Sequence, residues 1–150
     1  MKEEAQTNYN ETPLRVLLVE DNDTDVKIIL RAFEKWKLLS VIHHVHDGQE
    51  AIDYLENKGL YASRRFYPAP DIILLDVMMP IMDGHTFVQK IRSIEGVSAI
   101  PIIILTGREG LEEVFKLEGV VNYVQKSIDG RELIQKIKEI LQFKKEFFND

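Results

Sequence analysis

The sequence alternates five times between a short run of apolar residues and a segment with helical periodicity. Runs of this length that are rich in β-branched residues are typical of buried strands. Strands that alternate with helices along one chain favour a parallel sheet with helices on both faces. The sequence therefore predicts an α/β, doubly wound fold, with strands at Leu14–Val19, Val41–His46, Ile72–Leu75, Pro101–Leu105 and Val120–Gln125.

The segments between these runs carry apolar side chains at steps of three and four residues, as amphipathic helices do. The first predicted helix has Val26, Ile29, Leu30, Phe33 and Trp36 on its apolar face. Residues 58–70 contain three breakers and no period, which predicts a long loop. Further helices are predicted at Gln49–Asn57, around Phe87, Val88 and Ile91, around Leu111 to Leu117, and over a last stripe of Leu133, Ile134, Ile137, Ile140 and Leu141.

The length and composition fit one domain. The chain has 150 residues, of which 45% are hydrophobic, enough for a single well-filled core. We expect a flexible polar tail at residues 1–13, the folded domain at 14–143, and an extension of the last helix or a tail at 144–150. Asp129, followed three residues later by Glu132, resembles a capping box at the start of the last helix.

Composition also excludes several kinds of function. There is no cysteine, which rules out disulfides, thiolate nucleophiles and cysteine-bound metals. No apolar run approaches the roughly 18–20 residues of a membrane span, and the N-terminus does not resemble a signal peptide. A net charge of −6 lacks the electrostatic footprint of a nucleic-acid binder. We expect a cytoplasmic protein that binds neither membrane nor nucleic acid.

Polar residues follow four of the predicted strands at the point where each ends: Glu20 and Asp21, then Asp76, Thr106 and Lys126. The carboxyl ends of parallel strands meet at one edge, where such sheets bind their ligands. Three carboxylates placed together repel one another and favour a cation. Hard oxygen ligands of this kind suit Mg²⁺.

These side chains also have the chemistry needed to handle a phosphoryl group. A carboxylate such as Asp76 can act as the nucleophile, while a cation and the ammonium of Lys126 neutralise phosphoryl oxygens. The hydroxyl of Thr106 can donate a hydrogen bond to one of those oxygens. Ordinary polar strand ends are the alternative, but five such residues at four strand ends are poorly explained that way.

Four motifs in this order resemble those of the two-component response-regulator receiver domain, over about residues 14–143. They are Val19-Glu20-Asp21-Asn22, Asp76-x-x-Met79-Pro80-x-Met82-Asp83-Gly84, Leu105-Thr106-Gly107 and Tyr123-Val124-Gln125-Lys126. The resemblance implies a flavodoxin-like, five-stranded parallel sheet of order 2-1-3-4-5 with five helices. The long loop before the third strand, and no output domain after Lys126, resemble the stand-alone regulators paired with bacterial phytochromes.

The resemblance also implies a metal and a phosphoryl acceptor. Asp76 would accept the phosphoryl group from a sensor histidine kinase, of phytochrome type among others. Asp21 would bind Mg²⁺ directly, Glu20 through water, and Asp76 and the main-chain carbonyl of Met78 would complete the protein ligands.

Thr106 and Lys126 would contact the phosphoryl oxygens, and the rotamer of Tyr123 would follow Thr106. The sequence departs from the family at Ser127, where proline is usual and often joined by a cis bond. A cis bond to a non-proline residue costs roughly 3–4 kcal/mol, so both isomers stay open for Lys126–Ser127. The stretch from Thr106 to Tyr123 is also slightly short for the family.

Other interpretations remain open. An aspartyl-phosphate phosphatase of the haloacid-dehalogenase type also uses a strand-end Asp and Mg²⁺, but Met78 stands where its acid/base would be. A flavodoxin-like carrier of FMN would need a phosphate loop where this chain is acidic.

Three histidines and three aromatic residues lie outside this site. A metal could be bound by His43, His44 and His46, although polar strand positions explain them better. We expect Phe143, Phe147 and Phe148 to help form a homodimer or partner surface.

Overall fold

The computed structural model describes residues 12–76, 84–97, 99–106, 122–125 and 129–148. These residues contain a sheet of five parallel strands in the order β2-β1-β3-β4-β5. This order confirms the flavodoxin-like, doubly wound fold. The strands are β1 Leu14–Val19, β2 Ser40–Val45, β3 Ile72–Asp76, β4 Ile102–Thr106 and β5 Asn122–Gln125.

The helices of the described ranges are α1 Asp23–Lys35, α2 Gly48–Leu55, α3 Gly84–Ser93 and α4 Arg131–Phe148, with a short 3₁₀ turn at Gly59–Tyr61. The helix predicted around Leu111 to Leu117 lies outside these ranges, so α4 is the last of the five predicted helices. Within the described parts of the chain, no helix combines the length and apolarity needed to cross a bilayer.

The three central strands, β1, β3 and β4, are mostly apolar because both faces of the sheet are covered there. Alternate residues of a strand point to opposite faces. Leu17 and Val19 of β1 pack with α2 and α3 on one face. Val16 and Leu18 pack with α1 and α4 on the other face. This two-sided burial explains why the strands could be recognised as continuous apolar runs.

The acidic segment after β1 is divided between a turn and a helix. Asn22 is the N-cap of α1, and its side chain accepts a hydrogen bond of 3.1 Å from the amide of Asp25. Asp23 and Asp25 lie in the first helical turn, where negative charge is favourable. Only Glu20 and Asp21 stand between β1 and this cap, so both remain at the edge of the sheet.

The predicted apolar face of α1 was wrong at one position. Leu30 is 44% exposed, whereas Ala32 is buried with Val26, Ile29 and Phe33. A one-residue step turns about 100° around a helix, which moves Leu30 off the face that contains Ile29.

The predicted capping box at the start of α4 was also wrong. The helix begins at Arg131, and the carbonyl of Gly130 accepts its first backbone bond, from Ile134. Asp129 therefore lies one residue before the N-cap, and its carboxylate accepts from the amide of Arg131 at 3.1 Å. Gly130 occupies the N-cap position with a positive φ of 66°, a conformation that glycine adopts without the steric cost of a side chain.

The long loop at residues 58–70 is fastened to α2. The hydroxyl of Tyr54 donates to the carbonyl of Pro68 at 2.9 Å, and the side-chain amide of Asn57 donates to the carbonyl of Tyr61 at 2.9 Å. The rings of Tyr61 and Tyr67 meet edge to face with centroids 5.0 Å apart. Aromatic packing and hydrogen bonds therefore give this loop a defined path without helical or strand periodicity.

Candidate functional site

Three carboxylates meet at the carboxyl edge of the sheet. Glu20, Asp21 and Asp76 each place an oxygen within 4.8 Å of the others. The strand register causes this meeting, because Val19 of β1 is paired with Leu75 of β3. The residue that follows each member of this pair, Glu20 or Asp76, therefore stands at the same level of the sheet.

The three carboxylates differ in their exposure. Glu20 is fully buried at 0% exposure and Asp76 is 5% exposed, while Asp21 is exposed to solvent. Burial of two carboxylates beside a third is electrostatically costly, and a bound cation is an effective compensation. A set of three carboxylates with one open side fits Mg²⁺, which keeps several waters when it binds to proteins. Among the described residues, this is the only cluster of three or more potential acidic or histidine ligands.

Strand β2 holds the main chain of Glu20. The amide of Glu20 donates to the carbonyl of Val45 at 3.0 Å, and Nε2 of His44 lies 2.7 Å from the carbonyl oxygen of Glu20. A carbonyl oxygen only accepts, so Nε2 of His44 is the donor. The sequence pattern alone indicates an ordinary polar strand residue at His44. Its contact depends on the register of β1 against β2, which no local sequence pattern contains.

The other predicted site residues are described only in part. β4 ends at Thr106, whose main chain pairs with Gln125 at the end of β5. Thr106 therefore ends its strand at the same edge as Asp76. The side chains of Thr106 and Tyr123, the whole of Met78 and Lys126, and the bond between residues 126 and 127 lie outside the described part of the structure.

The other two histidines of β2 and its end, His43 and His46, contact residues outside the acidic cluster. The ring of His43 packs against Tyr54 and Tyr67 at centroid distances of 5.5 and 5.8 Å, and burial lowers the pKa of His43. Nδ1 of His46 lies 3.2 Å from a carboxylate oxygen of Glu50. None of the three histidines of β2 and its end belongs to a metal-holding group within the described residues. The interpretation as polar strand residues is therefore preferred to a histidine metal site.

Comparison with known proteins identifies the class. The response regulator receiver domain matches residues 16–138, so the chain belongs to that family. Receiver domains are switches of two-component signalling. Membership of this family decides against the phosphatase of haloacid-dehalogenase type that the sequence left open.

Similar curated proteins differ in how much of their length this chain spans. The probable methanogenesis regulatory protein FilR2 of Methanothrix harundinacea is 32% identical over 136 residues, which cover 89% of this chain and 84% of FilR2. The hybrid signal transduction histidine kinase D of Dictyostelium discoideum is 31% identical over 144 residues, but these are 95% of this chain and 8% of the kinase. The matched region is therefore a small part of some relatives, such as the kinase, and most of the length of others, such as FilR2.

Solved structures of response regulators are also similar, and two of those below are named as phytochrome regulators. The bacteriophytochrome response regulator RtBRR has a TM-score of 0.77 and 32% identity, covering 85% of this chain and 77% of its own. The phosphorylated cyanobacterial phytochrome response regulator RcpA has a TM-score of 0.72 and 31% identity, covering 88% and 94%. The Mn²⁺-bound form of the response regulator Rcp1 has a TM-score of 0.70 and 26% identity, covering 87% and 94%.

Proposed function

We propose that this chain works as a single-domain response regulator that accepts a phosphoryl group on Asp76 from a sensor histidine kinase. The main observation in support of the proposal is that the carboxylate of Asp76 lies close to those of Glu20 and Asp21 at the carboxyl edge of a receiver sheet. Similarity over 94% of the phosphorylated regulator RcpA supports the single-domain form and a kinase of phytochrome type.

The chemical step is a transfer between two side chains. A carboxylate oxygen of Asp76 forms a bond to phosphorus while the bond from phosphorus to the imidazole nitrogen of the kinase phosphohistidine breaks. The imidazole leaves, and Asp76 becomes an acyl phosphate. Attack of water on phosphorus later breaks the bond to the Asp76 oxygen, which releases inorganic phosphate and restores the carboxylate. In this proposal the protein acts as a switch, and the phosphorylation and dephosphorylation of Asp76 are the reactions that it undergoes.

Mg²⁺ is the cofactor of this proposal. Glu20, Asp21 and Asp76 would hold it, together with the main-chain carbonyl of Met78. When bound, Mg²⁺ would offset the charge of the carboxylates and of the phosphoryl oxygens. The receiver domain of the sensor histidine kinase PA1611, solved with a magnesium ion coordinated in its active site cleft, supports this choice of cation.

Thr106, Lys126 and Tyr123 are proposed to transmit the change. Phosphorylation adds about −1.5 to −2 charge by analogy with other phosphorylated side chains. Thr106 and Lys126 would contact the new oxygens, and Tyr123 would fill the space that Thr106 leaves. The result would be altered partner binding or self-association through the surface near α4.

Mass spectrometry on the full chain tests the proposal. The chain is incubated with a small phosphodonor, with and without Mg²⁺, and is then mapped by peptide analysis. The expected result is a gain of one phosphoryl group at Asp76 that requires Mg²⁺. Absence of labelling, or labelling at another residue, would refute the proposed function.

A further inference from the structure

His44 is not a member of the acidic cluster formed by Glu20, Asp21 and Asp76, but it binds the main chain of Glu20. Its Nε2 is 2.7 Å from the carbonyl oxygen of Glu20, and the amide of Glu20 donates to Val45 at 3.0 Å. Both main-chain polar groups of Glu20 are therefore bound by β2.

The ring of His44 is itself oriented by two contacts. It donates to the Glu20 carbonyl, and it lies against the ring of His46 with centroids 4.5 Å apart. The protonated and neutral forms of an imidazole can both carry a hydrogen on Nε2. The contact with Glu20 therefore does not depend on the charge of His44.

The carbonyl group that His44 binds belongs to the peptide unit between Glu20 and Asp21. The orientation of this unit sets the directions in which the two carboxylates leave the chain. Three carboxylates within 4.8 Å repel one another, and this repulsion tends to spread apart the two segments that carry them, Glu20–Asp21 after β1 and Asp76 at the end of β3. A hydrogen bond to the Glu20 carbonyl resists that spreading before any cation arrives.

We infer that His44 is a positioning residue of the metal site, which holds the Glu20–Asp21 peptide in the orientation that lets both carboxylates serve one divalent cation. The inference rests on the proposed function, because it concerns the same site. Groups that orient metal ligands without touching the metal typically contribute a factor of about 10–100 in metal affinity.

Calorimetric titration of the full chain with Mg²⁺ alone tests the inference through binding rather than phosphorylation. Three variants of His44 separate the hydrogen bond from the ring. His44→Phe keeps an aromatic ring without a donor, His44→Asn has a donor that is too short to reach, and His44→Gln places an amide nitrogen close to the position of Nε2. We expect Mg²⁺ affinity to fall about 10-fold or more in the Phe and Asn variants and to stay within about 3-fold of wild type in the Gln variant.

His46→Phe is the matched control, because it changes the neighbouring histidine, keeps a ring beside His44 and leaves the Glu20 contact in place. It should bind Mg²⁺ like the wild type. Thermal melts without metal identify any variant that fails to fold, and the polar Asn variant keeps the test valid if the Phe variant unfolds.

Two results would overturn the inference: wild-type Mg²⁺ affinity in a folded Asn or Phe variant, or equal losses in the Gln and Asn variants. Both leave the proposed function standing, provided that the wild-type chain binds Mg²⁺ and Asp21→Asn does not. Failure of the wild-type chain itself to bind Mg²⁺ would instead remove the proposed function and the role of His44 together.

Discussion

A Cβ atom placed on Gly130 would come within 2.3 Å of the Cβ of Ala32. Gly130 precedes α4, and Ala32 lies on the buried face of α1, so this contact joins the two helices that cover one face of the sheet. Gly130 also has a φ of +66°, which residues with a side chain rarely adopt. Two independent constraints therefore require glycine at this position.

Gly130→Ala should be clearly destabilising. The left-handed backbone costs roughly 1–2 kcal/mol for a residue with a Cβ, and overpacking adds typically about 1–3 kcal/mol. Gly96→Ala is the control, because Gly96 has a φ of +81° but, apart from its chain neighbours, no atom of the described residues lies within 4 Å of its added Cβ. Urea unfolding should show a larger loss for Gly130→Ala than for Gly96→Ala. Equal losses would mean that the contact with Ala32 relaxes at no cost.

Asp21→Asn should weaken Mg²⁺ binding without lowering the stability of the metal-free protein. Removal of a carboxylate from the cluster weakens Mg²⁺ binding but relieves repulsion with Glu20 and Asp76. Because Asp21 is exposed, we expect the free energy of unfolding without metal to hold or rise by less than about 1 kcal/mol. The measurements are Mg²⁺ calorimetry and a denaturant melt in chelator.

Asp23→Asn is the control for that experiment, since Asp23 is an exposed acid in the first turn of α1 outside the cluster. It should keep Mg²⁺ binding and lose about 0.3–1 kcal/mol of helix-dipole stabilisation. A clear loss of metal-free stability in Asp21→Asn would contradict this account of the cluster.

Asp76→Asn should fold but accept no phosphoryl group. Asparagine has nearly the shape of aspartate and lacks the nucleophilic carboxylate. Intact-mass analysis after treatment with phosphodonor and Mg²⁺ should show no gain for this variant and a normal gain for Asp23→Asn. Labelling of Asp76→Asn to the wild-type extent would move the acceptor elsewhere.

Stability should fall at high pH because of Tyr54. Burial raises its pKa from 10.0 to about 12, and its hydroxyl donates to the carbonyl of Pro68 at 2.9 Å. The folded chain holds this proton more tightly than the unfolded chain. The resulting stabilisation is therefore complete below pH 10 and is lost as the pH rises from 10 to about 12. Burial and the hydrogen bond to Glu50 also raise the pKa of Tyr61, so both residues act in this range.

Tyr54→Phe provides the measurement for this pH dependence. It should lose about 1 kcal/mol at neutral pH with the hydrogen bond to Pro68. Its free energy of unfolding should then decline less steeply than that of the wild type above pH 10. Parallel curves for the two proteins in urea melts would show that the Tyr54 proton is not linked to folding.

Truncation after Lys145 tests the proposed role of the C-terminal aromatics in self-association. α4 continues to Phe148, eleven residues or about 16 Å beyond its buried residue Ile137. The full chain should gain mass in light scattering when phosphodonor and Mg²⁺ are added, whereas the truncated chain and Asp76→Asn should not. A truncated chain that associates as the full chain does would exclude Phe147 and Phe148 from the interface.

The sequence predicted the features that depend on short-range pattern. The runs Leu14–Val19 and Ile72–Leu75 marked their strands within one residue, because each strand is buried on both faces. The convergence of Asp21 and Asp76 followed from the parallel topology. The contacts of His44 and Gly130 did not, because they depend on strand register and on helix packing between distant segments.

Trp36 is the only tryptophan of the chain, and it lies at the junction of α1 and α4. Its indole Nε1 donates to the carbonyl of Asp129 at 3.2 Å, and the cations of Lys35 and Arg131 lie 5.3 and 5.4 Å from its ring centroid. The tryptophan emission of the protein therefore originates at a single place, beside Asp129 and the start of α4. The fluorescence of Trp36 can therefore report on the packing of α4 against α1 in the native chain, without an added label.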